Sequence, residues 1–266
     1  MKKWMMAAAA VLAMMATSCI EHHVTIELNK DGSGTVTEES TLSAATIAMI
    51  EQMAAGLGGE GGEAADPTAD MMDKAKAEEK AKTMGEGVTV KSIEKIDDGA
   101  RKGAKITYAF EDINKVKYGF GDSLNDMGPG EEAGGADKSE PIEFSYADGV
   151  LTVKNPNIGK AEEAAADEEV PEVDPGAMAQ AQMLKGMKMS MKLKCPGGIA
   201  ETNATHHEGD TVTLISMDMD KLLEDPAAFA KLQKAQPESP AEMTEALKGV
   251  EGVKVDANEE LKVTLK

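Results

Sequence analysis

From Met187 to Cys195 apolar and polar residues alternate without a break: Met187, Met189, Met191, Leu193 and Cys195 in one phase, Lys188, Ser190, Lys192 and Lys194 in the other. A β-strand turns successive side chains to opposite faces, so this period puts every apolar residue on one side; a helix would scatter them. A strand with one apolar and one Lys/Ser face needs a sheet covered on one side and wet on the other. Pro196-Gly197-Gly198 ends the run. Thr211–Met219 reads as its return strand, and a slip of phase at Leu214-Ile215 marks a β-bulge.

Other stretches repeat the pattern. Val24, Ile26 and Leu28 alternate with polar residues, and Asn29 to Gly34 turns the chain into Thr35–Leu42 as a hairpin. Val88–Ile96 and Lys105–Phe110 read as two strands joined at Asp97-Asp98-Gly99, with Tyr118 and Phe120 in a short further strand. Ile142, Phe144 and Tyr146 lead through an Asp148-Gly149 turn to Leu151 and Val153. Val250–Asp256 and Leu261–Lys266 read as a closing hairpin. Helices are expected from Ser43 to Ala55, from Thr68 to Met84 with Gly85 as its stop, over a turn or two in Met178–Lys185, over Ala227–Lys234, and from the Ser239-Pro240-Ala241-Glu242 capping box to Lys248. A helix followed by Gly and Val-rich strands occurs at both 84–90 and 249–255, an α-β-β unit seen twice.

The fold class is therefore α+β: mainly antiparallel sheet, barrel-like or sandwich, with several helices and disordered acidic insertions near 56–67, 121–140 and 155–176. The formal charge of −20 argues against nucleic acid as a partner, since phosphate contacts need a basic patch. Beyond Trp4 seven aromatic residues remain, and six lie between Tyr108 and Tyr146, which puts that span in the core.

The first nineteen residues set the address. Lys2 and Lys3 precede a 12-residue apolar run, Trp4–Met15, and Ala16-Thr17-Ser18 lead to Cys19. The run is too short for a ~30 Å hydrocarbon core, which takes about 20 residues, so residues 1–18 read as a signal peptide. Small residues before the cysteine resemble the lipobox of bacterial lipoproteins. That resemblance implies diacylglycerol and an N-acyl chain such as palmitate on Cys19, and no other cofactor. Ala16-Thr17-Ser18 also suits ordinary signal peptidase, which would cut at the same bond and release a soluble chain. With Cys19 lipidated, Cys195 has no intrachain partner and the core must hold by packing alone. Ile20 follows the cysteine; where Asp at that place is an inner-membrane retention signal, its absence points to the outer membrane.

A strand of the type Val24-Thr25-Ile26-Glu27-Leu28 directly after the cysteine, the Asp31-Gly32-Ser33-Gly34 turn, an aromatic strand running into Phe110-Glu111-Asp112, and Cys195-Pro196-Gly197-Gly198-Ile199-Ala200-Glu201-Thr202-Asn203 together resemble the LppM-domain lipoproteins. The resemblance covers residues 19–220, with 221–266 as a helix-helix-hairpin extension. It implies a β-rich, non-enzymatic envelope protein with a lipid or other hydrophobic ligand. The acidic tethers and exposed strand edges offer the alternative, a structural module that meets another envelope protein. It brings no catalytic residues.

The alternating face of Met187, Met189, Met191, Leu193 and Cys195 is the candidate ligand-facing surface. Thioethers and a thiol also suit Cu(I), with Met217 and Met219 as further ligands. Methionine is a common filler of irregular apolar gaps, so core packing is the preferred reading and no metal site is expected. His22-His23 on a strand point to opposite faces and cannot chelate one ion together, and His206-His207 falls in a turn. Asn29-x-Asp31-x-Ser33 imitates an EF-hand start, but Ser40 stands where the bidentate Glu belongs. A thiol on the apolar face is expected to be buried and inert.

Overall fold

The computed structural model describes residues 20–56, 66, 68–119, 140–155, 185–225, 249–256 and 258–266. Residues 1–18, read as a signal peptide, Cys19, Phe120, most of the three acidic segments, residues 178–184 and the two helices expected between 227 and 248 lie outside them.

Local turn chemistry builds the three longest hairpins among the described residues. Strand β1 (Ile20–Leu28) reverses into β2 (Gly34–Ser43) in register from Ile20 opposite Leu42 to Leu28 opposite Gly34. At the turn Asn29 N–H donates to Ser33 O at 2.8 Å and Gly32 takes φ +87°, a conformation glycine adopts without penalty. β3 (Thr89–Asp97) pairs with β4 (Arg101–Phe110), which starts four residues earlier than its apolar pattern because the Asp98 carboxylate receives the Ala100 and Arg101 amides at 2.9 and 2.7 Å. β6 (Ile142–Ala147) and β7 (Val150–Lys154) are joined at Asp148-Gly149, both with positive φ as a type I′ turn requires. The remaining strands are β5 (Lys117–Tyr118), β8 (Met187–Lys194), β9 (Ile199–Thr202), β10 (His207–Glu208), β11 (Thr211–Asp218), β12 (Val253–Val255) and β13 (Glu260–Leu265).

Helix α1 (Ala44–Gly56) follows β2 directly, and Ser43 Oγ caps it by accepting the Thr46 amide at 3.1 Å. The helix expected from Thr68 is in fact a 3-10 turn (Asp70–Met72) followed by α2 (Lys74–Met84). Asp73 stops the continuous helix by capping α2, its carboxylate accepting the Ala75 and Lys76 amides at 2.7 and 3.2 Å. A short α3 (Met219–Glu224) ends β11.

These strands form two open sheets. The larger runs β10-β11-β8-β1-β2-β4-β3, with β12 beside β10 on the free edge of β11; the smaller runs β5-β6-β7-β13-β9. Neither closes, so of the two expected arrangements the barrel is not formed. Among the described residues all pairings are antiparallel but one, the parallel pairing of β1 with β8. The expected closing hairpin gives way to a division. β12 joins β11 in the large sheet, while β13 crosses to the small sheet between β7 and β9. The α-β-β echo is therefore not a structural repeat: β3 and β4 pair with each other, β12 and β13 do not.

One apolar core joins the sheets. Val24, Ile26, Leu28, Val36, Tyr108 and Phe110 of the large sheet meet Phe144, Leu151, Val153, Leu261 and Val263 of the small one, with Ala77, Ala81 and Met84 of α2 closing one side. β1 has 9 residues and the strands of the small sheet at most 6, so the large sheet extends beyond its partner. Beyond that overlap a second cluster forms from Met189, Met217, Met219, Leu222 and Val253.

Candidate functional site

The methionine face is divided between the two cores. Met191, Leu193 and Cys195 are fully buried in the main core; Met189 is buried, and Met187 half-buried, in the second cluster. The cause is register. β8 lies between β1 and β11, with Met189, Met191 and Leu193 beside His22, Val24 and Ile26 on the covered side. β11 brings Met217 opposite Met189, and the bulge between Thr213 and Ile215 restores its phase. The face expected to meet a ligand is thus packed against the protein itself. A cleft between the sheets, lined by Ile142, Val153, Leu214, Leu261, Asp256 and Asn258, encloses about 10 Å³, space for one water.

Cys195 is a free, buried thiol whose pKa burial pushes up to about 11, with the Asp210 carboxylate adding to the rise. Burial and that rise both disfavour the thiolate, the reactive form of the side chain. The histidines divide as strand geometry requires. His22 points inward, 1% exposed, with Nδ1 at 2.8 Å from Ser40 Oγ; His23 points outward, with Nδ1 at 2.8 Å from Ser190 Oγ. That bond also explains why Ser190, expected on the wet face, is buried. Desolvation lowers the His23 pKa, against the raising influence of Glu21 and Glu39. His207 Nε2 lies 2.8 Å from Gly209 O at the β10–β11 turn. Among the described residues no group of three or more His, Cys, Asp or Glu side chains is arranged to hold a metal. In the EF-hand-like turn Asp31 accepts from Ser33 N–H and Oγ–H at 3.0 and 2.6 Å, bonds that hold its pKa low and serve the turn.

The far side of the large sheet is polar. Thr213, Lys192, Thr25, Thr37, Thr107 and Ser92 stand in one cross-strand row over six strands. Ion pairs flank it: Lys188 with Asp218 at 3.7 Å, Lys194 with Glu27 at 3.5 Å, and Arg101 with Glu21.

Two buried carboxylates escaped the sequence reading. Glu38, 5% exposed, receives the Tyr118 hydroxyl at 2.6 Å and the Lys80 ammonium at 3.0 Å, so one carboxylate ties β2 to β5 and α2. The signal was present: Glu38 follows Val36 in the inward phase of β2, where an acid has to find partners. Asp256, 2% exposed, accepts the Thr205 amide at 2.8 Å and Asn258 Nδ2 at 2.7 Å, while its own amide donates to Leu214 O at 2.9 Å. It pins the crossing from β12 to β13. A hairpin reading of 250–266 hid that role.

Fold and site together define an α+β protein of two packed, open sheets joined by one apolar core. The chain is similar to the folded domain of the Mycobacterium tuberculosis LppM protein determined by NMR, at 9% sequence identity over 77% of this chain and 85% of that one, with a TM-score of 0.33. At that degree of superposition the likeness is distant and carries no functional inference. No family model matches the chain, and no curated protein matches it.

Proposed function

We propose that this chain is a bacterial envelope lipoprotein, anchored through diacylglycerol on Cys19, whose two-sheet domain is a non-enzymatic module displayed for another envelope protein. One observation carries the reading: β1 begins at Ile20, the residue after the lipobox cysteine. Consecutive Cα atoms are 3.8 Å apart, so the lipid attaches at the root of the large sheet with no spacer. From there β1 rises by about 30 Å to Leu28 and carries the polar face away from the bilayer. Ile20 in place of Asp after the cysteine supports the outer membrane over the inner. Among the described residues no helix is long and apolar enough to cross a membrane. Protein contact ranks above a hydrophobic ligand because the Met187–Cys195 face is packed as core and the inter-sheet cleft has room for one water, whereas the polar face carries a cross-strand row of five hydroxyls and Lys192, flanked by ion pairs.

Metabolic labelling with a fatty acid is expected to mark the wild type and not Cys19→Ala. Photo-crosslinking from Lys192 in intact envelopes is expected to trap a defined protein, with no stoichiometric lipid extracted from the purified domain. Equal labelling of both forms would overturn the anchor. One tightly bound lipid per chain would overturn the display reading in favour of a hydrophobic ligand.

A further inference from the structure

Helix α1 does not have the surface of an ordinary exposed helix. Thr46 and Ile47 are buried against the sheet end, while Ala44, Ala45, Ala48 and Met49 face outward together with Glu51 and Gln52. Met49, 59% exposed, is the one large apolar side chain left open among the described residues. A helix on a soluble surface carries charge on its outer face. Here 29% of the chain is charged, yet the 13 residues of α1 contain a single charge, Glu51.

Its position gives that surface an occupant. Leu42 pairs with Ile20, and α1 starts two residues later. The Ala44 amide donates to Ala100 O at 2.9 Å, which ties the first turn of α1 to the β3–β4 turn at the same end of the sheet. The chain before Ile20 holds the Trp4–Met15 apolar run and Cys19. Whatever brings Ile20 to a bilayer therefore brings α1 with it.

We infer that α1 is a second membrane contact: it lies in the bilayer interface beside the anchor, with Ala45, Ala48 and Met49 turned into the acyl boundary, and so fixes the orientation of the domain. The inference rests on the anchored reading above. The contact is weak alone, since one Met and a few Ala offer little apolar area compared with free interfacial helices. It becomes effective because the anchor makes it intramolecular. An orientation fixed at two points holds the polar sheet face at a constant tilt to the membrane.

The test uses the full lipidated chain in vesicles of phosphatidylethanolamine and phosphatidylglycerol, carrying an environment-sensitive fluorophore on Met49→Cys or on Glu86→Cys near the distal β1–β2 turn. Cys19 is blocked by lipid and Cys195 is buried, so labelling is selective. With spin-labelled lipid present, the Met49→Cys probe is expected to lose most of its fluorescence and the Glu86→Cys probe none. Equal quenching at both sites, in protein that floats with the vesicles, overturns the inference and leaves the anchor standing. Protection of the Met49→Cys probe by concentration-dependent dimers, without lipid quenching, overturns it in favour of a second copy. Failure of the wild type to float removes the anchored reading itself.

Discussion

Lys80→Met isolates the energetics of the acid buried between the sheets. Glu38 is 5% exposed, and the Lys80 ammonium sits 3.0 Å from it with a side chain 20% exposed. At that separation and an effective dielectric near 20, the attraction is about 5 kcal/mol, most of it offset by the cost of removing both charges from water. Methionine keeps the aliphatic stem of the lysine but takes away the counter-ion, while the Tyr118 hydroxyl stays. Breaking a buried pair from one side costs about 3–5 kcal/mol; the partial exposure of Lys80 and the retained hydroxyl bring the expectation to about 2–3 kcal/mol. Glu38→Gln is expected to cost about 1–2 kcal/mol, because the amide still accepts from Tyr118. The double variant should lose clearly less than the sum, by about 1.5 kcal/mol, since no charge then stays behind in the core. Urea unfolding followed by circular dichroism at pH 7 and constant salt gives all three values. Additivity within about 0.5 kcal/mol would refute a direct charge pair and reduce Lys80 to a packing contact.

Met191, fully buried at the centre of β8, is expected to cost about 2–4 kcal/mol as Met191→Ala, whereas the neighbouring outward Lys192→Ala stays within about 0.5 kcal/mol; the urea midpoints separate them. The Cys195 thiol, pushed up to about 11 and buried, should resist iodoacetamide at pH 7.5 in the native protein and react at once in denaturant; mass spectrometry showing rapid native alkylation would contradict its placement. Burial lowers the His23 pKa below 6.5, so the unfolded chain binds the extra proton first. The stability contributed by neutral His23 is full above pH 6.5 and is lost as the pH falls from there through the folded value. Urea midpoints at pH 5.5 and 7.5 should draw closer together in His23→Gln, and an unchanged gap would exclude this residue as the cause.

Short-range features were legible from the residues themselves. Asp148-Gly149 and Asn29 to Gly34 are turns because their backbone needs positive φ or local carboxylate bonds that these residues supply. The face of β8, the bulge at Leu214 and the burial of Cys195 follow from a period of two, which any half-buried strand has to obey. The start of α2 is not legible in the sequence because Thr68–Met84 has helical composition throughout, and the capping strength of Asp73 competes with it only locally.

What the sequence by itself determined is therefore most of the strand segments, with β9 and β10 the exceptions, and which side of each long strand is apolar; the lipobox resemblance stands behind the proposed address. Which strands become neighbours was decided only by the tertiary structure. The parallel pairing of β1 with β8 joins segments more than 150 residues apart, and β12 and β13, nearly adjacent in the chain, part to different sheets. Hydrogen-bonding edges are the same for every strand, so partners are settled by which pairing buries the most apolar surface and satisfies groups such as Glu38 and Asp256. That choice depends on the whole core at once. It also turned one methionine stripe into parts of two cores, and left Met49 of α1 open at the Ile20 end of the large sheet.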